Sequence, residues 1–456
     1  MKKCIISFGK WNKRYLNIII AIAFLLLNNF IFGYIFDGEK DYEIRFIDTG
    51  KFSNHFLIHQ INNYIFCMFL SGYRFIKEIE EQRKTIDILE NQNEIGYAGS
   101  FSNAIILIYR EQYANDNTNN SKYVIIFTVL LYIILEQTKI IFKKFFLHMD
   151  FWMFELHALV ILNYFMFKIN NYKHQKFAIY ANFIPYILKL IIVRLTKIEG
   201  NTDKAIYVKY FFNIIIAIII YFFYAYLLSY TFIKLQKLVD LKFISLNLIL
   251  FIYGLFGFLF CFILCCIFTF INCENEISSY IFQVIDDDNN KHYIDNFKIY
   301  LKLLINDGDA LKEMVTILLG GIFYSLYKFF TFKIIESLTP YHKTFSYPIY
   351  YFFQKFILLC FKGNQIFTDK NSMPKYKLIL DISSDFIAII LYLIYLEIIE
   401  LNFCGFNFNL RSNIIKRGDR ETLKFLSDDS INNEKAGENS ENDDSSSHSH
   451  HSEAYE

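Results

Sequence analysis

Long apolar runs separated by short clusters of charge organise this chain. In a soluble domain the charges would recur along one face of each helix. Here they gather between the runs, which is the pattern of a chain whose solvent is lipid. Inside hydrocarbon a run must satisfy its own backbone hydrogen bonds, so each run is read as a helix. Ten stretches qualify: Leu16–Phe36, Phe52–Tyr73, Tyr123–Phe142, Phe151–Phe167, His174–Leu195, Ile206–Ile233, Phe243–Ile271, Met314–Ile335, Tyr347–Phe361 and Ile379–Leu401. The first holds about 21 residues without a charge, enough to cross roughly 30 Å of hydrocarbon. A signal peptide would have a shorter apolar core and a small-residue cleavage site, which Phe36-Asp37-Gly38-Glu39 does not offer, so this run is read as a retained helix. The expected fold class is all-α: a polytopic membrane protein with about ten transmembrane helices.

The polar segments complete this division. Residues 1–15 are basic, Arg74–Lys122 mixes acids and bases, and Cys273–Asp309 is acidic and rich in Asn. From about 427 the tail is low-complexity Asp, Glu, Asn, Ser and His, with too little apolar surface to order itself. An even number of spans puts both ends on one side. Basic residues flank the first span and follow the last, so the positive-inside rule places residues 1–15 and 402–456 in the cytosol. The basic connection Lys362–Lys377 then falls on the opposite side, against the trend, but later loops weigh less. The ten spans divide into 16–195 and 206–401. Because five is odd, the second half enters the membrane reversed, the geometry of an inverted repeat.

Composition narrows the function. Aromatic residues make up 19% of the chain and the net charge is +1, with no long basic run, so no nucleic-acid partner is expected. The expected partners are the bilayer and a small-molecule solute. Cys67, Cys261, Cys265, Cys266 and Cys360 lie inside apolar runs and read as packing. No CxxC pair occurs, so no metal site and no cofactor is implied. The chain lacks GxxxxGK[ST], GxSxG and HExxH, and its polar segments are too small for a catalytic domain. An enzyme is not expected.

Ionisable residues within the runs are the candidate chemistry, because a charge in hydrocarbon is normally paired or faces a cavity. Glu136 and Lys139 share a face of the third stretch and can pair with each other. Glu155 and His157 sit near the start of the fourth, as a solute or proton contact or as packing. Lys328, near the middle of the eighth, is the natural contact for an anion, with Tyr324 one turn before it. His55 and His59 have metal-compatible spacing but no third ligand. Asp381 and Asp385 share that spacing and read as markers of the membrane surface. Gly254, Gly257 and Gly320-Gly321 read as close helix packing, and Pro340 as the end of the eighth helix.

Several motifs carry a family resemblance. Ala225-Tyr226-Leu227-Leu228, the turn Lys234 to Ser245 and Phe251-Ile252-Tyr253-Gly254 look like the start of the second half of the drug/metabolite transporter superfamily. Leu318-Leu319-Gly320-Gly321 through Tyr327, followed by Ser337-Leu338-Thr339-Pro340, is similar to the eighth helix and following turn of its nucleotide-sugar-transporter-like branch. The resemblance covers roughly 123–401. It implies alternating-access exchange of a small polar or anionic, nucleotide-sugar-like metabolite, with the eighth helix, and so Lys328 and Tyr324, lining the solute site; Glu155, His157, Glu136 and Lys139 join them as candidates because they are ionisable residues within the runs. It also suggests an endomembrane location in the Golgi or ER. The alternative is a polytopic membrane protein that transports nothing, with a dry, aromatic-packed interior; an intramembrane enzyme ranks below both.

Overall fold

The computed structural model describes residues 6–8, 13–32, 56–90, 121–145, 152–167, 171–189, 204–240, 244–270, 283–285, 291–293, 297–306, 310–368 and 375–403, together with 405, 406, 408, 410 and 413. In these residues the chain is mostly helical. The helices are α1 (Leu16–Phe32), α2 (Phe56–Glu90), α3 (Ser121–Phe145), α4 (Trp152–Phe167), α5 (Lys173–Ala181), α6 (Lys204–Asp240), α7 (Leu246–Phe270), α8 (Phe297–Asn306), α9 (Ala310–Ser337), α10 (Pro340–Thr368) and α11 (Lys375–Tyr395). A further helical stretch, 183–189, follows α5 after a break at Asn182. Four short strands are β1 (Ile6–Phe8), β2 (Gln283–Ile285), β3 (Lys291–Tyr293) and β4 (Ile399–Leu401); β1 pairs antiparallel with β4, and β2 with β3.

The described residues of the ten apolar stretches lie mainly on helix. Among the described residues three helical segments are long and apolar enough to cross a membrane: Ile218–Val239, Leu246–Phe270 and Met314–Ser337. Tyr123–Thr138 and Phe154–Met166 are apolar but shorter. The polar connection expected from Arg74 begins as helix instead. α2 runs on to Glu90, because Arg, Lys, Glu and Ile continue a helix readily in water. Its Glu78 accepts hydrogen bonds from Ser245 (2.5 Å) and Asn247 (3.1 Å), which puts a negative charge beside the N-terminus of α7.

The chain clusters into two compact units. The larger comprises Trp11–Asn170 and Ile179–Tyr392. In it α2 packs along α7, α1 along α9, and α9 also against α2. Gly254 makes the α2–α7 approach possible: a Cβ there would lie 2.6 Å from the Met68 backbone nitrogen and 2.9 Å from the Tyr64 carbonyl. One turn on, Gly257 leaves room for the Tyr64 ring. α1 stacks Phe24 on Phe323 and Phe330 of α9 at about 6 Å. Just before α1, Arg14 donates to the Ser337 carbonyl (3.0 Å), capping the C-terminus of α9 with a cation. α9 ends at Ser337, before Pro340, and Pro340 opens α10, where its missing N–H and fixed φ do no harm.

The smaller unit comprises Met1–Lys10, Asn171–Ala178 and Leu393–Glu456. Here the structure corrects the sequence reading of 379–401 as one helix. α11 stops at Tyr395, and the chain turns at Glu397, whose φ is 59°. Ile398 N–H bonds the Leu393 carbonyl (2.9 Å) and Glu397 N–H the Ile394 carbonyl (3.2 Å), the two bonds of a Schellman helix end. Glu397 occupies the left-handed position that Gly usually takes, and its carboxylate lies 3.0 Å from the buried His174 Nε2. Ile399–Leu401 then forms β4. An apolar period continues through 401, so periodicity alone does not reveal this stop.

Candidate functional site

Lys328 sits on the face of α9 that also carries Tyr324, Tyr327 and Thr331, the three- and four-residue spacing of one helical stripe. Its side chain is 2% exposed. The Nζ forms an ion pair with Glu136 of α3 and donates to Tyr132, one turn earlier on α3, at 3.0 Å. Tyr253 of α7 donates to the other Glu136 oxygen, and its hydroxyl lies 2.9 Å from that of Tyr324. Gln137 donates to the Tyr64 hydroxyl of α2 at 2.8 Å, and the Tyr64 ring meets Tyr253 edge-on at 5.2 Å. The ammonium lies 5.0–5.4 Å from the ring centroids of Tyr132, Tyr253, Tyr324 and Tyr327. Four helices thus build a tyrosine cage around one ion pair. The rings offer negative faces to the cation and the hydroxyls satisfy the carboxylate, which is what a charge withdrawn from water requires.

A second pair lies nearby. Lys343 of α10 is 3.6 Å from Glu155 of α4, and their side chains are 1% and 2% exposed. Lys343 donates to Tyr347 (2.7 Å) and lies 3.8 Å from the Phe232 ring centroid. Glu155 Oε2 has no hydrogen-bond partner among the described residues. The Tyr347 and Tyr327 side chains meet, so this pair adjoins the wall of the Lys328 cage.

The third cluster has four members. Lys189 from 183–189 pairs with Asp381 and, at 3.1 Å, with Asp385; Lys355 of α10 reaches the same two residues at 2.6 and 2.5 Å. Each lysine contacts both aspartates and each aspartate both lysines. The Asp385 side chain is 0% exposed.

The sequence-selected residues therefore separate. Lys328, Tyr324 and Glu136 come together. Glu155 joins Lys343 instead, and His157 is held by the Tyr186 hydroxyl (2.8 Å) and the Ile179 carbonyl (3.2 Å), in contact with Phe183. Glu136 pairs with Lys328. Lys139 lies on α3, and its side chain falls outside the described residues, as does His55. Asp381 and Asp385 are not free surface carboxylates: Asp385 is buried, Asp381 is 14% exposed, and each pairs with two lysines. Sequence reasoning also missed Lys189, Lys343, Lys355, Tyr64, Tyr132 and Tyr253. One signal was available. Lysines interrupt apolar runs in about the number of the acids, as they must if every buried charge is to find an opposite.

No protein-family model matches this chain, and no curated protein is similar enough to match. The class that fold and site define is a helical protein with segments long and apolar enough to cross a membrane, and with the buried charges among its described residues set in opposite pairs.

Proposed function

We propose that this protein is an integral membrane secondary transporter, with ten spans in two inverted halves, that moves a small polar or anionic metabolite by alternating access. The first half would be α1 to α5 with 183–189, and the second α6, α7, α9, α10 and α11. One observation carries the reading. Each buried charge cluster joins a helix to its counterpart five spans later: Glu136 on α3 to Lys328 on α9, Glu155 on α4 to Lys343 on α10, and Lys189 on 183–189 to Asp381 and Asp385 on α11. A two-fold axis in the membrane plane brings such counterparts together near the midplane, where carriers of this kind hold their solutes.

The helix contacts agree with the same pairing. Packing of α1 on α9 is mirrored by α6 on α3, α2 on α9 by α7 on α3, and α1 on α10 by α6 on α4. The separation of 192 residues that relates Glu136 to Lys328, and Lys189 to Asp381, also relates Tyr132 to Tyr324. In that register the buried positions 128, 129, 132, 133 and 135 of α3 coincide with buried 320, 321, 324, 325 and 327 of α9. The resemblance to the nucleotide-sugar-transporter-like branch points the same way. A solute that competes for the Lys328–Glu136 pair would change what ties α3 to α9, and that exchange is a means of coupling solute to conformation.

The test is counterflow in proteoliposomes preloaded with unlabelled metabolite, with labelled UDP-glucose and a panel of phosphorylated and amino-acid solutes outside. Saturable counterflow that disappears in Lys328→Ala is expected. A second reading has an observation in its favour: the interior around Lys328 is packed with aromatic rings and its charges are mutually satisfied, as in a structural or assembly protein. Silence of the whole panel with correctly folded protein would favour that reading.

A further inference from the structure

The transporter reading leaves the solute class open, and the Lys328–Glu136 cage narrows it. We propose that this pair receives a zwitterion with adjacent charges, an α-amino acid with an uncharged side chain, rather than a simple anion or cation. The inference rests on the transporter reading for its biological meaning but not for its test.

The pair is electrically neutral, and each member is compensated chiefly by the other. An anion that captured Lys328 would leave the Glu136 carboxylate unpaired among tyrosines, and a cation that captured Glu136 would strand the Lys328 ammonium. Leaving a buried charge without its partner is among the most unfavourable changes a protein interior can undergo. A zwitterion compensates both: its carboxylate faces Lys328 and its ammonium faces Glu136.

The cage suits either end of such a molecule. The hydroxyls of Tyr132 and Tyr253 can donate to a carboxylate or accept from an ammonium, and the four ring faces 5.0–5.4 Å from the present ammonium favour any cation placed there. Elsewhere this protein already builds the complex that would result. In the Lys189–Asp381–Lys355–Asp385 cluster two ammonium and two carboxylate groups alternate, each in contact with both opposite charges. A zwitterion between Lys328 and Glu136 would complete the same alternating square, with two of its corners supplied by the solute. Because Lys328 and Glu136 are in direct contact, the square closes most easily around two charged groups carried on one carbon, which favours α- over ω-amino acids.

The experiment measures thermal stabilisation of the purified full chain in detergent by L-leucine, N-acetyl-L-leucine, which keeps only the carboxylate, and L-leucinamide, which keeps only the ammonium. L-Leucine should stabilise, and each derivative should bind at least about tenfold more weakly, as expected when one buried charge loses its partner. Equal stabilisation by either derivative overturns the proposal, as does the absence of any shift with glycine, L-leucine and L-phenylalanine. Glu136→Gln should transfer the preference to N-acetyl-L-leucine, and Lys328→Met to L-leucinamide. A purely structural pair would lower the melting temperature in both variants with no such switch, which also overturns it. Counterflow separates the two readings. L-Leucine binding without counterflow keeps the zwitterion site and removes the transporter, whereas UDP-glucose counterflow without L-leucine binding keeps the transporter and removes the zwitterion.

Discussion

The Lys328–Glu136 centre and the Lys189–Asp381–Lys355–Asp385 cluster meet the same difficulty, charge withdrawn from water, in opposite ways. In the four-membered cluster charge compensates charge completely, and three chain segments are tied at a point where Asp385 is wholly inaccessible. In the Lys328 centre one ion pair is held by tyrosine hydroxyls and ring faces, and Glu136 remains 21% exposed. Tyrosines can follow a moving charge by rotating their hydroxyls, but a closed square of charges cannot open without stranding one of them. On the proposed transporter reading, the square would hold helices together and the cage would yield.

The sharpest way to break this contrast is to remove one corner of the square. Lys355→Ala leaves two aspartates facing a single lysine and should cost about 3–5 kcal/mol, enough to prevent accumulation of folded protein. Fluorescence-detected size-exclusion after detergent extraction would report it, and normal yield and melting temperature would show that the cluster does not hold the bundle. Gly254→Val comes next. It drives a branched side chain into the Met68 and Tyr64 backbone and should cost at least about 1–3 kcal/mol by overpacking, read as a lower melting temperature.

The cage predicts a different outcome. The double replacement Lys328→Met with Glu136→Leu removes a buried pair without stranding either member, so stability should stay within about 1 kcal/mol of wild type or rise, while binding and counterflow vanish. A collapse comparable to that of Lys355→Ala would erase the distinction between the two regions. The smallest effect is expected at the helix end in the other unit. Glu397→Gly relieves a left-handed φ worth about 1–2 kcal/mol but deletes the contact with His174, so the two terms nearly cancel and the melting temperature should scarcely move. A fall of several degrees would mean that the His174 contact outweighs the backbone term.

The three clusters were only partly legible before the fold was known. Glu136, Glu155 and Lys328 stood out because an ionisable residue in an apolar run is rare. Their partners did not. Spacing suggested Glu136 with Lys139 and offered no partner for Glu155, whereas the partners found lie 192 residues away for Glu136 and on α10 for Glu155. Asp381 and Asp385 looked like surface markers because they open an apolar run, and nothing local indicates that Lys189 and Lys355 arrive opposite them. The tyrosines were hidden by abundance: in a chain with 34 of them, five that converge carry no distinguishing signal.

What the sequence determined by itself is most of the helices; α8 was not among them, because it lies inside the connection read as polar and is too short to stand out as a span. The described residues of the ten apolar stretches lie mainly on helix because backbone groups away from water must bond within their own segment, a local requirement that local composition reports. Where helices end is less local, as the continuation of α2 to Glu90 and the stop at Tyr395 illustrate. Which charge faces which was decided only by the tertiary structure. A Coulombic partner is selected by proximity in space, and helices that are far apart in the chain become neighbours only when the bundle closes.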